Sequence, residues 1–357
     1  MDDMKSSAPL SGLRVVEFLG LGPSPFGCML LADLGAEILT LRRPGSEIPA
    51  LVRNRSTMEV DLKDPDSIRF VHNAIGSADV LVEGFRPGVM ERLGLGPDDL
   101  AAVNNRLIYA RMTGWGQTGP LAFTAGHDIN YIALTGALHS ATRAGSVPMP
   151  PANLLGDFGG GAMYLVTAIL AAVFERDRTG TGSVLDIGIL DGTNYLTSML
   201  HEYRATGRWS DEPGTNRLDT GAPYYDVYPC ADGKFVAVGA LEDPFFDVLL
   251  EVLGLEPELA QGRHDPQAWP ALRDRIAAAV ATRTRDEWAD LAGHTDACLT
   301  PVLSLAEAPH HPHVAARGIL VAEDGDAWTP RLPIGYSDAA KPVDDILRLW
   351  GQGTAGP

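Results

Sequence analysis

Two periods of apolar and polar positions alternate along the first half of this chain. Leu13-Arg14-Val15-Val16-Glu17-Phe18 is a short β-branched run that Gly20-Leu21-Gly22-Pro23 breaks. Ser24 to Leu34 then carries apolar residues at helical spacing and stops at Gly35, and Ala36 to Leu41 is a second extended run. A strand, a helix and another strand in that order make a parallel crossover unit. The pattern recurs with a helix over Ser67 to Ile75, strands at Ala78 to Val82, Leu107 to Met112 and Ser183 to Ile187, and a helix from Leu190 to Ala205. It predicts a Rossmann-like, doubly wound α/β domain over residues 1–205.

The texture then changes. Residues 206–223 are polar and rich in turn formers (Asp211, Pro213, Gly214, Asn216, Gly221) and read as a linker. Tyr224 to Tyr228 and Lys234 to Val238, with Ala231-Asp232-Gly233 between them, give a hairpin signal. Helical patterns at Phe245 to Leu253, Ala271 to Thr282 and Arg285 to Ala292 follow, then a strand-like Cys298 to Leu303. These predict a small α+β domain over residues 224–320. The proline-punctuated tail, about 325–357, is expected to return and complete the large domain.

Composition narrows the function. With 28 basic and 46 acidic residues the net charge is −18, which argues against nucleic acid, since phosphate neutralisation needs a basic face. An anionic ligand would need a local basic pocket. Cys28, Cys230 and Cys298 are odd in number and widely spaced, so they suggest neither a disulfide frame nor a metal cluster. His310-His311-Pro312-His313 is too crowded for a ligand set and reads as a loop. The apolar run Ala162 to Phe174 is too short to span a bilayer and ends in Glu175-Arg176-Asp177-Arg178, so it reads as a buried helix. With no signal-peptide pattern at the start, a cytoplasmic location is expected, with no membrane partner.

The chemistry concentrates in two stretches. His127 follows Gly126 and precedes Ile129, Ile132, Ala133 and Gly136 at helical spacing, so it falls at a helix N-terminus whose backbone N–H groups could hold an enolate oxygen. Asp157 stands between Asn153 and Gly159-Gly160-Gly161, ahead of an apolar helix that would desolvate it and raise its pKa. The three glycines would let backbone approach a ligand closely. Two such groups on opposite sides of one carbon are what a 1,1-proton transfer needs. Taken singly, each has a plainer reading: a capping or surface histidine, and an N-cap aspartate. Glu242 ends a strand just ahead of Pro244, where a carboxylate could orient His127 across a domain or subunit boundary, or simply charge a helix N-terminus. Arg43, Arg53, Arg55, Lys63, Arg86 and Arg111 lie near strand or loop ends, where open α/β sheets bind phosphates, although any one of them could be a solvated surface charge. A dinucleotide fingerprint is absent, because Pro25 stands where the third glycine belongs, and so is a P-loop lysine motif.

Several longer stretches resemble the family III CoA-transferases, most closely the α-methylacyl-CoA racemase branch. They include Leu10-Ser11-Gly12-Leu13-Arg14-Val15-Val16-Glu17, Asp79-Val80-Leu81-Val82-Glu83-Gly84-Phe85-Arg86-Pro87-Gly88, Thr113-Gly114-Trp115-Gly116-Gln117-Thr118-Gly119-Pro120, Gly126-His127-Asp128-Ile129-Asn130-Tyr131 and Gly156-Asp157-Phe158-Gly159-Gly160-Gly161. The resemblance runs from about residue 9 to about residue 335. It implies an interlocked homodimer with the active site where one chain's large domain meets the other's small domain, an acyl-CoA substrate, and no metal or redox cofactor. It implies that the residue matching Asp157 carries an acyl group in transferases, and that His127 and Asp157 exchange the α-proton in racemases with Glu242 supporting His127. Asp128 (through its N–H), Asn153 and Tyr131 are the expected oxyanion or orienting groups.

Two positions depart from the family pattern. Thr40 stands where an arginine is usual, and Ser56 where a basic residue is usual, both in the stretch expected to handle CoA phosphates. Their loss of charge leaves open a carrier-protein pantetheine in place of free CoA. CoA transfer through Asp157, or thioester or protein binding without catalysis, are the rival functions.

Overall fold

The computed structural model describes residues 8–323 and 327–334, in two units, 1–302 and 303–357. In the first unit, strands β1 (Arg14–Phe18), β2 (Glu37–Arg42), β3 (Ser56–Glu59), β4 (Val80–Glu83), β5 (Ile108–Thr113) and β6 (Ser183–Gly188) form one sheet in the order β3-β2-β1-β4-β5-β6. Every pairing is parallel, with Val15 opposite Ile38 on one side and Val80 on the other. Strand order reverses between β1 and β4, so a crevice opens beyond their carboxyl ends. All four residues of central β4 are buried, as a strand covered on both faces must be. Edge strand β3 is exposed throughout and lacks a hydrophobic run, which is why no strand is legible there in the sequence.

Helix α1 (Pro23–Asp33) follows β1, with Pro23 at its first position, where a missing N–H costs nothing. That explains why Pro25 replaces the third glycine of a nucleotide loop: it lies in the helix's first turn. Helix α2 (Pro65–Gly76) is capped by the Asp64 carboxylate, which accepts from the N–H groups of Asp66 and Ser67. It seats Val71 and Ile75, both fully buried, in the core cluster with Phe18, Leu81 and Tyr109. Each such side chain contributes roughly 1.5–3 kcal/mol by leaving water.

Helix α3 (Asp128–Leu134) begins at the first candidate stretch. At the second, Leu154–Ala162 winds as a π-helix that continues into α4 (Met163–Thr179), which packs on β5 and β6 and buries Leu165 and Ile169. The continuous segment Leu154–Thr179 has 26 residues and is apolar enough to cross a membrane by length and composition, so the shortness expected from the sequence does not hold. One side of it lies against the sheet, while Leu154, Met163 and Phe174 are exposed. The helix expected over Leu190 to Ala205 is two, α5 (Ile189–Leu196) and α6 (Ser198–Ala205). They part at Thr197, whose hydroxyl donates to the Asn194 carbonyl at 2.7 Å and competes with the helical pattern.

Further along the same unit, β7 (Tyr225–Pro229), β8 (Phe235–Gly239) and β9 (Leu299–Pro301) form an antiparallel sheet in that order, confirming the hairpin. Helices α7 (Asp243–Leu253), α8 (Trp269–Val280) and α9 (Arg285–Ala292) share its core, where Val236, Phe246, Leu249, Ile276 and Trp288 meet. In the second unit, helix α10 (Pro312–Arg317) starts within the histidine run that reads as a loop in the sequence, and His311 caps it by accepting from the His313 N–H. Strands β10 (Leu320–Ala322) and β11 (Trp328–Pro330) pair antiparallel. Most of the expected closing segment 325–357 lies outside the described residues.

Candidate active site

A cleft of about 520 Å³ opens at the sheet's switch point. The turns after β1 (Gly20 to Ser24), β4 (Gly84 to Pro87) and β5 (Met112 to Trp115) line it, together with His127, Tyr131, Asp157 and Ile189. The two proton carriers expected from the sequence therefore share one cavity. His127 is the N-cap of α3, and its backbone N–H donates to the Asn130 side chain at 3.1 Å. Tyr131 fixes the preceding residue by donating its hydroxyl to the Gly126 carbonyl, and its ring meets Trp115 edge-on at 4.7 Å. The imidazole remains exposed to the cavity.

Asp157 is half-buried on the π-helical segment. Wider turns there aim its carboxylate at Gly22, the N-cap of α1, where a Cβ would lie 2.8 Å from Oδ2. Asn153, one of the expected orienting groups, donates to Oδ2 at 3.2 Å. Burial pushes the Asp157 carboxyl above the usual aspartate range; the Asn153 hydrogen bond opposes this, the Asp128 charge adds to it and the nearby His127 opposes it. Such a carboxyl is suited to give up and recover a proton. The following glycines do not line the cleft. Gly160 and Gly192 bring the π-helix and α5 into backbone contact, since a Cβ on Gly192 would lie 1.8 Å from the Gly160 carbonyl.

A second cleft, of about 620 Å³, lies beyond the carboxyl ends of β1 to β3 and shares Gly20, Leu21 and Phe85 with the first. Arg43 and Lys63 line it, and Arg86 lines the first cleft; all three are exposed and in no ion pair among the described residues. Glu47 and Asp61 share the second cleft with Arg43 and Lys63, so an anionic ligand there would meet two free cations beside two carboxylates. The other three basic residues expected to bind CoA lie elsewhere. Arg55 is fully buried against Glu17 at 2.5 Å, Arg53 pairs with Asp33 at 2.5 Å, and Arg111 pairs with Glu83 at 2.9 Å and Glu91 at 2.8 Å. None of the three lines either cleft.

The two departures also fall away from the clefts. Thr40 is fully buried and donates to Glu17 at 2.7 Å, completing the site that holds Arg55. Ser56 opens β3 at the amino-terminal end of the sheet, opposite to the clefts. Neither residue lines either cleft.

Glu242 stands at the N-cap position of α7, without a capping hydrogen bond from its side chain, and lines a different cavity, with Tyr203, Arg208, Trp209, Arg217 and Leu241. Within one chain it does not join His127. Trp115 and Gly22 took no individual role in the sequence reading, because their importance is a matter of contact across the fold. Among the described residues no group of histidine, cysteine and carboxylate side chains has the arrangement of a metal site.

Fold and site together define an α/β enzyme that places a histidine and an aspartate in one switch-point cleft, beside a second cleft that holds Arg43 and Lys63. The chain belongs to CoA-transferase family III, whose model matches residues 10–344. It is 44% identical to the α-methylacyl-CoA racemase of Mus musculus, over 90% of this chain and 85% of that one. It is 32% identical to the acetyl-CoA:oxalate CoA-transferase of Acetobacter aceti, over 94% and 91%. In three dimensions it matches a CaiB/BaiF family protein of Brucella suis with a TM-score of 0.79, at 25% identity over 94% of both chains.

Proposed function

We propose that this protein is an α-methylacyl-CoA racemase, acting on 2-methyl-branched acyl thioesters by 1,1-proton transfer. The observation that carries the reading is the joint presence of His127 and Asp157 in one cleft; the 44% identity to a racemase supports it. Acyl transfer needs only a nucleophilic carboxylate. A histidine sharing its cavity fits the return of a proton to the opposite face.

The thioester's α-carbon lies between the two side chains. One takes the α-proton, charge collects on the thioester oxygen as an enolate, and the other delivers a proton to the opposite face. The Asp128 N–H, at the first position of α3, is the donor to that oxygen. The thioester itself acidifies the α-carbon, so the chemistry proposed uses no metal or redox cofactor. Arg43 and Lys63 receive CoA phosphates, and Arg86 sits at the entrance to the reacting cleft.

The reading includes an interlocked homodimer in which Glu242 comes from the second copy. Two observations support this. Glu242 lines a separate cavity in its own chain, and Leu154, Tyr195 and Leu196 near the cleft-bearing helices are 62%, 69% and 46% exposed. A chiral assay separates the two family chemistries. A single enantiomer of a 2-methylacyl-CoA should lose optical purity with no added acceptor acid, whereas a transferase would leave the centre intact and carry the acyl group onto Asp157.

A further inference from the structure

Asp128 is the residue between the two proton carriers in a sense that chain order alone does not reveal. It follows His127 directly, and it is only 6% exposed. Its Oδ2 accepts the backbone N–H of Asp157 at 2.6 Å, bridging α3 and the π-helical segment. The approach is possible because Gly156 carries no side chain; a Cβ there would lie 2.5 Å from Oδ2. Its other oxygen, Oδ1, is buried and has no hydrogen-bond partner among the described residues. A desolvated carboxylate held this way is costly, and a plain core contact would be served as well by an apolar residue.

We propose that the Asp128 side chain is a positioning residue, a clamp that ties α3 to the π-helical segment and so sets the distance between His127 and Asp157. Its effect on catalysis rests on the racemase reading above; the contact itself does not. The charged or polar groups acting on Asp157 are Asn153, which donates to it, Asp128, His127 and Tyr131. Of these Asp128 is the one whose negative charge opposes ionisation.

The test compares Asp128→Asn, which keeps an oxygen for the Asp157 amide but no charge, with Asp128→Ala, which keeps neither. In protein labelled with carboxyl-13C aspartate, the Asp157 carboxyl should titrate at lower pH in both variants than in the wild type. Hydrogen exchange at the Asp157 amide should quicken about 10- to 100-fold in Asp128→Ala and stay nearly unchanged in Asp128→Asn. For racemisation, kcat should fall about 100-fold in Asp128→Ala with KM little changed, and Asp128→Asn should recover part of that loss. Unmoved titration and amide exchange in the folded variants would overturn the clamp. Because both readouts need no turnover, they decide the clamp even if the wild type proves not to racemise anything, a result that would refute the functional reading alone.

Discussion

The carboxylate of Asp157 occupies the space that a side chain on Gly22 would need: an added methyl would meet its Oδ2 at 2.8 Å. Gly22 has φ +64° and opens α1, so this carboxylate lies at the position where dinucleotide-binding sheets hold a pyrophosphate. The chain supplies its own carboxylate there.

Gly22→Ala should therefore combine two costs. The left-handed backbone costs about 1–2 kcal/mol of stability for a residue with a Cβ, visible as a lower urea midpoint. The displaced Asp157 carboxylate should reduce kcat for racemisation by about 100-fold or more, with a smaller effect on KM.

Asp157→Asn tests the desolvation of that carboxyl through stability. A carboxyl raised in the folded state binds its proton more tightly folded than unfolded, so stability falls as pH climbs through the window between the ordinary aspartate pKa and the raised one. The neutral amide escapes that loss. The variant should melt higher than wild type at pH 7 and equally at a pH below the usual aspartate range, while racemisation is lost. Equal melting at both pH values would show that burial imposes no cost on Asp157.

Arg55 and Glu17 are both wholly buried, and Thr40 shares the Glu17 carboxylate. Removing one charge, as in Glu17→Gln, leaves the other uncompensated and should cost about 3–5 kcal/mol in chemical denaturation. Thr40→Val should cost about 1–3 kcal/mol. In folded protein neither should change the KM for an acyl-CoA, which separates this structural pair from Arg43 and Lys63 in the second cleft.

Arg43→Ala and Lys63→Ala should show the opposite profile. Each should raise KM for a CoA thioester about tenfold, leave kcat within about twofold, and leave the melting temperature alone. The penalty should shrink at high salt. A pantetheine thioester without the nucleotide should bind wild type and variants alike.

Much of the fold was legible because its strands are short apolar runs and its helices have a clear period; β4 and α2 fall close to where pattern places them. What escaped depends on partners distant in sequence. Ser56 to Glu59 has one apolar residue, Met58, and no alternation to mark it; it becomes a strand by pairing with Leu39 to Arg42. Arginine at 43, 53, 55 and 111 looks alike in a sequence, and only packing decides that Arg55 and Arg111 satisfy buried glutamates while Arg43 stays in a cleft. His127 and Asp157 were recognisable from their surrounding motifs, but the Asp128 side chain was not, since its partner is the amide of a residue on another helix.

The most direct measurement follows the α-proton itself. The protein is incubated with (S)-2-methylacyl-CoA in D2O and the α-carbon is watched by NMR, with His127→Ala and Asp157→Ala in parallel. Deuterium should enter the α-position with inversion at the centre, and both variants should lose most of that activity. An α-proton that never exchanges in a folded wild-type protein, with any 2-methylacyl-CoA, would contradict the proton-transfer reading of the site.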